Sequence, residues 1–240
     1  MITLKNLTKV IGNKKILDKI NLGIQKGETI VIIGQSGCGK STLLKNIIGL
    51  QRPTSGEIII FDQKTTNLRE EELNKVRIKM GMLFQEAALF DSMTVEENVA
   101  FPLRQHTRYK EEKIQGIVRE RLKIMGMEGT ERLMPAHLSG GMQRRVGLAR
   151  ALALEPEIVL YDEPTTGLDP IMKEVINNLI LELKNRLKVT SIVVTHDMDT
   201  AFKVGDRIGM LHQGSLILIG TPEEIKASDN PTVQQFIKGL

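Results

Sequence analysis

Residues Gly34 to Thr42 read GQSGCGKST and follow directly on the apolar run Glu28 to Ile33 (ETIVII), with a helical pattern from Ser41 to Gly49 behind them. A G-x-x-x-x-G-K-[ST] turn between a short apolar strand and a helix leaves few folds open to a chain. The glycines let the backbone curl until successive N–H groups point inward. The helix turns its N-terminus to the same place, which favours a bound anion. Gly34, Gln35, Ser36, Gly37, Cys38, Gly39, Lys40, Ser41 and Thr42 are therefore expected to cradle the phosphates of a nucleotide. Lys40 supplies positive charge to the β- and γ-phosphates, and Ser41 a hydroxyl to Mg2+. Cys38, the single cysteine, falls at a free position of the pattern. With nothing nearby to stabilise a thiolate, it reads as a small filler rather than a redox group.

A second apolar run, Ile158 to Tyr161 (IVLY), ends in two acids, Asp162 and Glu163, about 120 residues after the loop. Beside a phosphate loop, the first carboxylate suits the water shell of Mg2+. The second can orient or deprotonate the water that attacks a γ-phosphate. GEIIIF (56–61), KMGMLF (79–84), SIVVT (191–195), RIGML (207–211) and LILI (216–219) read as further strands, and Ile171 to Leu187 has helical spacing. Ile2 to Ile24 alternates apolar and polar residues about Gly12-Asn13, which predicts an antiparallel pair. From Thr94 to about Leu154 the period is helical, with Pro102, Gly126 and Pro135 expected as breakers. Residues 86–138 read as a helical insertion and 221–240 as a tail of one or two short helices. The expected fold is α/β, a P-loop NTPase core whose mostly parallel sheet is covered on both faces. It carries an antiparallel β subdomain and the inserted helical subdomain, all within a single domain over residues 1–240.

Hydrophobic residues at 41% and charged residues at 26% exclude a disordered or low-complexity chain. The net charge of +4 is spread along the sequence without a basic block interleaved with aromatics, so no nucleic-acid partner is expected. No apolar run approaches the roughly 20 residues that span a bilayer, and the opening MITLKNLTKV lacks signal-peptide character. A cytoplasmic placement is expected, with any membrane work done through a partner.

Leu138 to Gln143 reads LSGGMQ and runs on into RRVGLARAL. A serine and two glycines at a helix start form a second anion cradle. The stretch resembles the LSGGQ signature of ATP-binding cassette (ABC) ATPases, and other elements of that family fall in order. Gln85 matches the Q-loop, Gly167-Leu168-Asp169 the D-loop, and His196 follows the strand SIVVT in the T-H-D context of the switch histidine. The resemblance covers essentially the whole chain. It implies an ATPase working as a head-to-tail homodimer, with two ATP molecules held between one copy's phosphate loop and the other's Ser139, Gly140, Gly141 and Met142. It also implies that Glu163 polarises the attacking water, that His196 stabilises the γ-phosphate, and that Gln85 assists Ser41 and Asp162 at the metal. Asp169 would link the two sites. His106, His137 and His212 lack such a context and read as packed or solvated, and Arg144 and Arg145 as helix-surface residues beside the signature. Met142 stands where the family carries Gln, beside the cradle rather than in it. Where the family stacks an aromatic on adenine, this chain has Val10-Ile11, and aromatics make up only 3% of it. One lost stack costs about 1–3 kcal/mol. Ile11 is thus expected to pack on the base, with weak discrimination between ATP and GTP.

ABC proteins acting on DNA carry a long coiled coil between loop and signature, where this chain has about 100 residues, and translation types carry two cassettes. A transport ATPase is expected instead, on the cytoplasmic face of the inner membrane, driving permease subunits through the helical insertion. MLFQEAALF (82–90), the following MTVEENVAFPLRQHT and the tail PTVQQFIKG (231–239) resemble the cassettes of Mla-type systems, which work with MCE-domain proteins on phospholipids. The resemblance makes Phe101, Pro102 and Leu103 candidates for permease contact, and MCE-domain and STAS-domain proteins candidate partners. The alternative is the nucleotide-binding subunit of a polar amino-acid or other small-solute importer; the amino-acid importers share the cassette but usually have Gln in the signature and a different Q-loop flank. The tail keeps two readings: docking on a partner cassette or STAS-domain regulator, or capping its own domain.

Overall fold

The alternation in the first 24 residues becomes a hairpin in the computed structural model, which describes residues 1–239; Leu240, last of the expected tail, lies outside the described residues. β1 (Ile2–Ile11) and β2 (Lys14–Ile24) pair antiparallel, with Ile2 opposite Ile24 and Ile11 opposite Lys14. β3 (Thr29–Ile33) is buried at every position and leads through the glycine-rich loop into α1 (Lys40–Ile47). β4 (Ser55–Ile60) and the two-residue β5 (Gln63–Lys64) extend the hairpin into a sheet of order β2-β1-β4-β5. α2 (Glu70–Arg77) carried no expectation. Its acids Glu70, Glu71 and Glu72 in the first turn and bases Lys75 and Arg77 in the last favour it through the helix dipole. β6 (Met80–Leu83) follows.

α3 (Val95–His106) starts at a capping box, with Thr94 Oγ1 accepting from the Glu97 N–H at 3.3 Å and Glu97 Oε2 from the Thr94 N–H at 2.7 Å. Pro102 was expected to break the helical run here and instead lies inside α3. A proline in a helix interior costs about 3 kcal/mol, chiefly through the lost bond to the carbonyl four residues back. Against that, Val95, Val99, Ala100 and Leu103 are all at 1% exposure or less, and burying each of the three larger ones contributes about 1.5–3 kcal/mol. Burial wins. α4 (Glu111–Ile124) does end at the expected glycine, Gly126, with φ +61°. A single 3-10 turn, Pro135–His137, precedes α5 (Gly140–Ala151), whose N-cap Ser139 Oγ accepts from the Met142 N–H at 3.3 Å.

β7 (Ile158–Asp162), α6 (Pro170–Leu187), β8 (Thr190–Thr195), α7 (Met198–Val204), β9 (Arg207–His212) and β10 (Ser215–Gly220) complete the chain's core. The central sheet has the order β10-β9-β3-β8-β7-β6, parallel throughout except where β10 meets β9. Strand side chains alternate between faces, and the sheet therefore divides the interior in two. Ile30, Ile32, Ile158 and Leu160 meet the core shared with α1, β1, β2 and β4. Val31, Ile33, Val159 and Tyr161 meet the core shared with α3 to α7. α8 (Pro222–Lys226) and α9 (Pro231–Ile237) form the tail, two short helices as the sequence led one to expect. Val233 of α9 is fully buried, and Phe236 and Ile237 pack on the second core, so α9 sits on its own chain. Among the described residues no helix is long and apolar enough to cross a membrane.

Candidate functional site

The loop after β3 has little freedom. A side chain at Gly34 would place its Cβ 2.3 Å from the Leu211 carbonyl oxygen. Gly39, the N-cap of α1, has φ +113°, and a Cβ there would sit 2.9 Å from the Ile16 oxygen. Bare backbone is required at both, and the loop closes over the N-terminus of α1. In front of it lies a cavity of about 780 Å³. Gln35, Ser36, Gly37, Gly39, Lys40, Ser41 and Thr42 line one side, and Gln85, Glu163, Thr166 and His196 face them. Ile11 and Ile16 supply apolar wall, as do Phe236 and Gly239 from the tail.

Charge is concentrated at the head of α1. Lys40 Nζ donates to the carbonyl oxygens of Gly34 at 2.7 Å and Gln35 at 3.1 Å, and stands 3.3 Å from Glu163 Oε1. Ser41 Oγ donates to Asp162 Oδ1 at 2.8 Å. Glu163 Oε2 faces the Thr166 hydroxyl at 2.9 Å and His196 Nδ1 at 2.9 Å. Burial pushes the Asp162 carboxyl above its ordinary range, the Ser41 hydroxyl working against it. Burial acts on Glu163 too, but the hydrogen bond with His196 and the charge of Lys40 outweigh it and hold that carboxyl below the usual carboxylate range. Lys173 Nζ reaches Asp197 Oδ2 at 2.6 Å, and the Asp197 N–H donates to Thr195 Oγ1 at 3.0 Å, which fixes the backbone on either side of His196.

A hydroxyl and a carboxylate thus converge at Ser41 and Asp162, and Gln85, whose side chain carries an amide oxygen, lines the same cavity. Hard oxygen donors of this kind suit Mg2+. Among the described residues there is no cluster of three His, Cys, Asp or Glu able to cage a metal.

Several expected site residues stand apart from the cavity wall. Gly34 and Asp162 lie behind it, acting on Lys40 and Ser41. Cys38, expected among the nucleotide contacts, turns into a neighbouring cleft with Lys14, Lys15 and His212. Burial pushes its thiol up, against the pull of Lys40, as befits an inert thiol. Ser139, Gly140, Gly141 and Met142 are not on the wall. Gly140 lines a separate cleft with Gln85, Glu86, Ala87 and Arg144. Asp169 caps α6, its Oδ1 accepting from the Met172 N–H at 3.0 Å. Arg144 and Arg145 are not free surface residues, contrary to expectation. Arg144 donates to the Thr166 carbonyl, and Arg145 to those of Met125 and Gly126, both at 3.2 Å. Sequence reading missed Ile16, Thr166, Phe236 and Gly239. Thr166, three residues after Glu163, was within reach of it; Phe236 was not, because only tertiary packing brings it here.

A second hollow, of about 410 Å³, opens between α3 and the central sheet. Leu50, Met82, Phe84, Phe90, Phe101 and Pro102 line it, with Arg77, His106 and Arg150 at its polar edge. Leu50 and Phe90 are exposed.

Residues 17–166 match the model of the ABC transporter family. The chain belongs to that family. The intermembrane phospholipid transport system ATP-binding protein MlaF of Haemophilus influenzae is 45% identical over 239 residues, 100% of this chain and 90% of that protein. A "probable ribonucleotide transport ATP-binding protein", mkl of Mycobacterium leprae, is 43% identical over 99% of this chain and 69% of its own length. The dimeric structure of MJ0796, a bacterial ABC transporter cassette, has a TM-score of 0.87 and 40% identity, covering 92% of this chain and 99% of that one. MJ0796 in a dimeric post-hydrolysis state with ADP and Pi gives 0.86 and 39% over the same shares. The chain is an ABC ATPase cassette with a P-loop NTPase core.

Proposed function

We propose that this cassette is the ATP-hydrolysing subunit of an ABC transporter that moves phospholipid. The observation that carries the cargo is the likeness to MlaF, which runs the full length of the chain. The mkl likeness names ribonucleotide transport and leaves a third of that protein unmatched, so it weighs less. Nothing among these relatives favours a polar amino-acid importer.

Two copies would work together. Gly140 and the cavity occupy different clefts of one chain, which fits a reading in which a second copy would bring its Ser139-Gly140-Gly141 to the γ-phosphate, with Asp169 at the joint between sites. Lys40 and the backbone of residues 34–42 bind the phosphates, and an incoming phosphate competes with Glu163 for Lys40. Magnesium, bound with ATP, would supply charge against the β- and γ-oxygens from Ser41, Asp162 and Gln85. Glu163, held ionised, orients the attacking water and takes up its proton; the loose transition state of phosphoryl transfer asks for little base strength. His196 holds that carboxylate in place and donates toward the charge growing on the γ-phosphate. Ile11 packs on the base.

Residues 86–138 would form the helical insertion and the apolar hollow lined by Phe101 and Pro102 the seat of the permease, beneath which the cassette would sit on the cytoplasmic face of the membrane; Leu103, expected beside them, is sealed in the core and offers no such contact. MCE-domain and STAS-domain proteins complete the proposed assembly. The test is purification of the tagged chain from native membranes in mild detergent, with proteins and lipids identified by mass spectrometry. A polytopic permease with an MCE-domain protein and phospholipid supports the reading. A permease with a soluble solute-binding protein and no lipid enrichment replaces it with a small-solute importer.

A further inference from the structure

Arg150 lies on α5, about three turns beyond the serine and glycines that open that helix. Its guanidinium is turned inward. Nη2 donates to the Ala87 carbonyl at 2.8 Å and Nη1 to the Ala88 carbonyl at 2.8 Å, with Asn98 Oδ1 at 3.4 Å from the same nitrogen. Both acceptor residues have left-handed backbone, φ +59° at Ala87 and +48° at Ala88. Alanine takes that conformation unwillingly, because its Cβ crowds the carbonyl oxygen. Something must hold it there, and the guanidinium fork on two successive carbonyls is suited to do so. A lysine in its place, a point charge on a flexible stem, could not span both in fixed geometry.

The held segment is not incidental to the chemistry. Gln85 precedes it by two residues and lines both the nucleotide cavity and the cleft that contains Gly140. On its other side the segment runs into Phe90, whose N–H and carbonyl are both bound by the buried Asn98 side chain at 2.8 and 3.1 Å, and whose ring lies 5.5 Å from the Arg150 guanidinium. The position of Gln85 is therefore set from behind by a residue of the signature helix. We propose that Arg150 is a positioning residue for ATP hydrolysis, acting through Gln85 by pinning Ala87 and Ala88 in left-handed backbone. This rests on the role of Gln85 given above. Arg150 itself touches no nucleotide contact, so its effect belongs to turnover and not to ATP affinity.

A double-mutant cycle on kcat tests it, with Arg150→Lys, Gln85→Ala and the pair compared in the full chain. Arg150→Lys is expected to lower kcat about tenfold while KM for MgATP stays within about twofold, and the pair to be no slower than Gln85→Ala alone. Arg150→Gln, which keeps an amide donor without charge, is expected to do the same. A loss for the pair equal to the product of the single losses overturns the proposal, as does a fall in melting temperature with kcat untouched. An unchanged kcat in Gln85→Ala by itself instead removes Gln85 from the proposed mechanism, and this inference with it. Should neither arginine variant fold, a Phe90→Trp reporter in the otherwise Trp-free chain decides. Its emission should shift on adding Mg2+ and the non-hydrolysable analogue AMP-PNP, and lose that shift with Gln85→Ala. No shift with Gln85 intact means that the segment does not follow the nucleotide site, and the inference falls.

Discussion

His196 Nδ1 stands 2.9 Å from Glu163 Oε2, while Glu163 Oε1 faces Lys40 Nζ at 3.3 Å. The two oxygens of one carboxylate are thus divided between the residue expected to sense the γ-phosphate and the residue expected to bind it. Glu163 is held for this division. Its φ is +49°, left-handed for a residue with a side chain, and its N–H donates to the Val194 carbonyl at 2.9 Å. Such backbone costs on the order of 1–3 kcal/mol and persists only where its surroundings impose it.

Glu163→Gln keeps the side chain's shape and removes its charge. ATP affinity should change by less than about threefold, because Lys40 loses a competitor as well as a neighbour. The kcat for phosphate release should fall by about 10²–10⁴, the usual weight of a positioned base. A burst-free steady-state assay beside fluorescent-nucleotide titration separates the two. Turnover at the wild-type rate would take Glu163 out of the role.

The acid limb of the rate profile should have two parts. Ordinary aspartate and glutamate values differ by only about 0.4 unit, and here burial raises Asp162 while His196 and Lys40 lower Glu163 against burial, so the two carboxyls shift in opposite directions. As pH falls, Asp162 should lose its charge at a pH above the ordinary aspartate value, which weakens the metal site, while Glu163 should keep its charge to a pH below the ordinary glutamate value. KM for MgATP should rise above the ordinary aspartate value, and kcat should fall only below the ordinary glutamate value. Initial rates between pH 7 and 4 at several Mg2+ concentrations check this; kcat failing above the ordinary glutamate value would contradict it.

The head of α1 was legible because its chemistry is local: a glycine loop, a lysine and a serine within nine residues, and an acidic strand end that pairs with them. Ser41 and Asp162 meet at 2.8 Å across 121 positions because β7 lies two strands from β3 in the sheet. Arg150 and Pro102 were not legible. A helix-period pattern says which face is apolar but not that an arginine turns inward to hold two carbonyls. Nor does a proline in such a pattern reveal that the burial around it exceeds what it costs. Phe236 came from 200 residues away in sequence from the loop it faces, by way of an α9 whose docking no local rule encodes.

Ile11 is half-exposed at 49% on the cavity wall, and an aliphatic side chain there gives the base apolar contact without a stack. Ile11→Tyr should tighten ATP binding by about 1–3 kcal/mol, roughly 5- to 150-fold. The unmodified chain should bind ATP and GTP within about tenfold of each other. Competitive titration against a fluorescent nucleotide measures both, and a hundredfold preference for ATP in the unmodified chain would mean that another residue reads the base.

Phe236 makes the tail a test of its own. Val233 is fully buried and Phe236 lies both against the core and on the nucleotide cavity. Deleting residues 230–240 removes the burial of Val233 and part of that of Phe236, about 2–4 kcal/mol at ordinary values. For a domain of this size that is a fall in melting temperature of about 5–12 °C. Nucleotide affinity should weaken as well, since the cavity loses one apolar wall. If α9 only caps its own chain, AMP-PNP with Mg2+ should still drive the truncated Glu163→Gln protein into dimers by light scattering. If α9 also reaches across to the second copy, the dimer should fail in addition to the fall in melting temperature. The buried Val233 favours the first outcome, because a helix whose central residue is already sealed against its own core has little left to offer a partner.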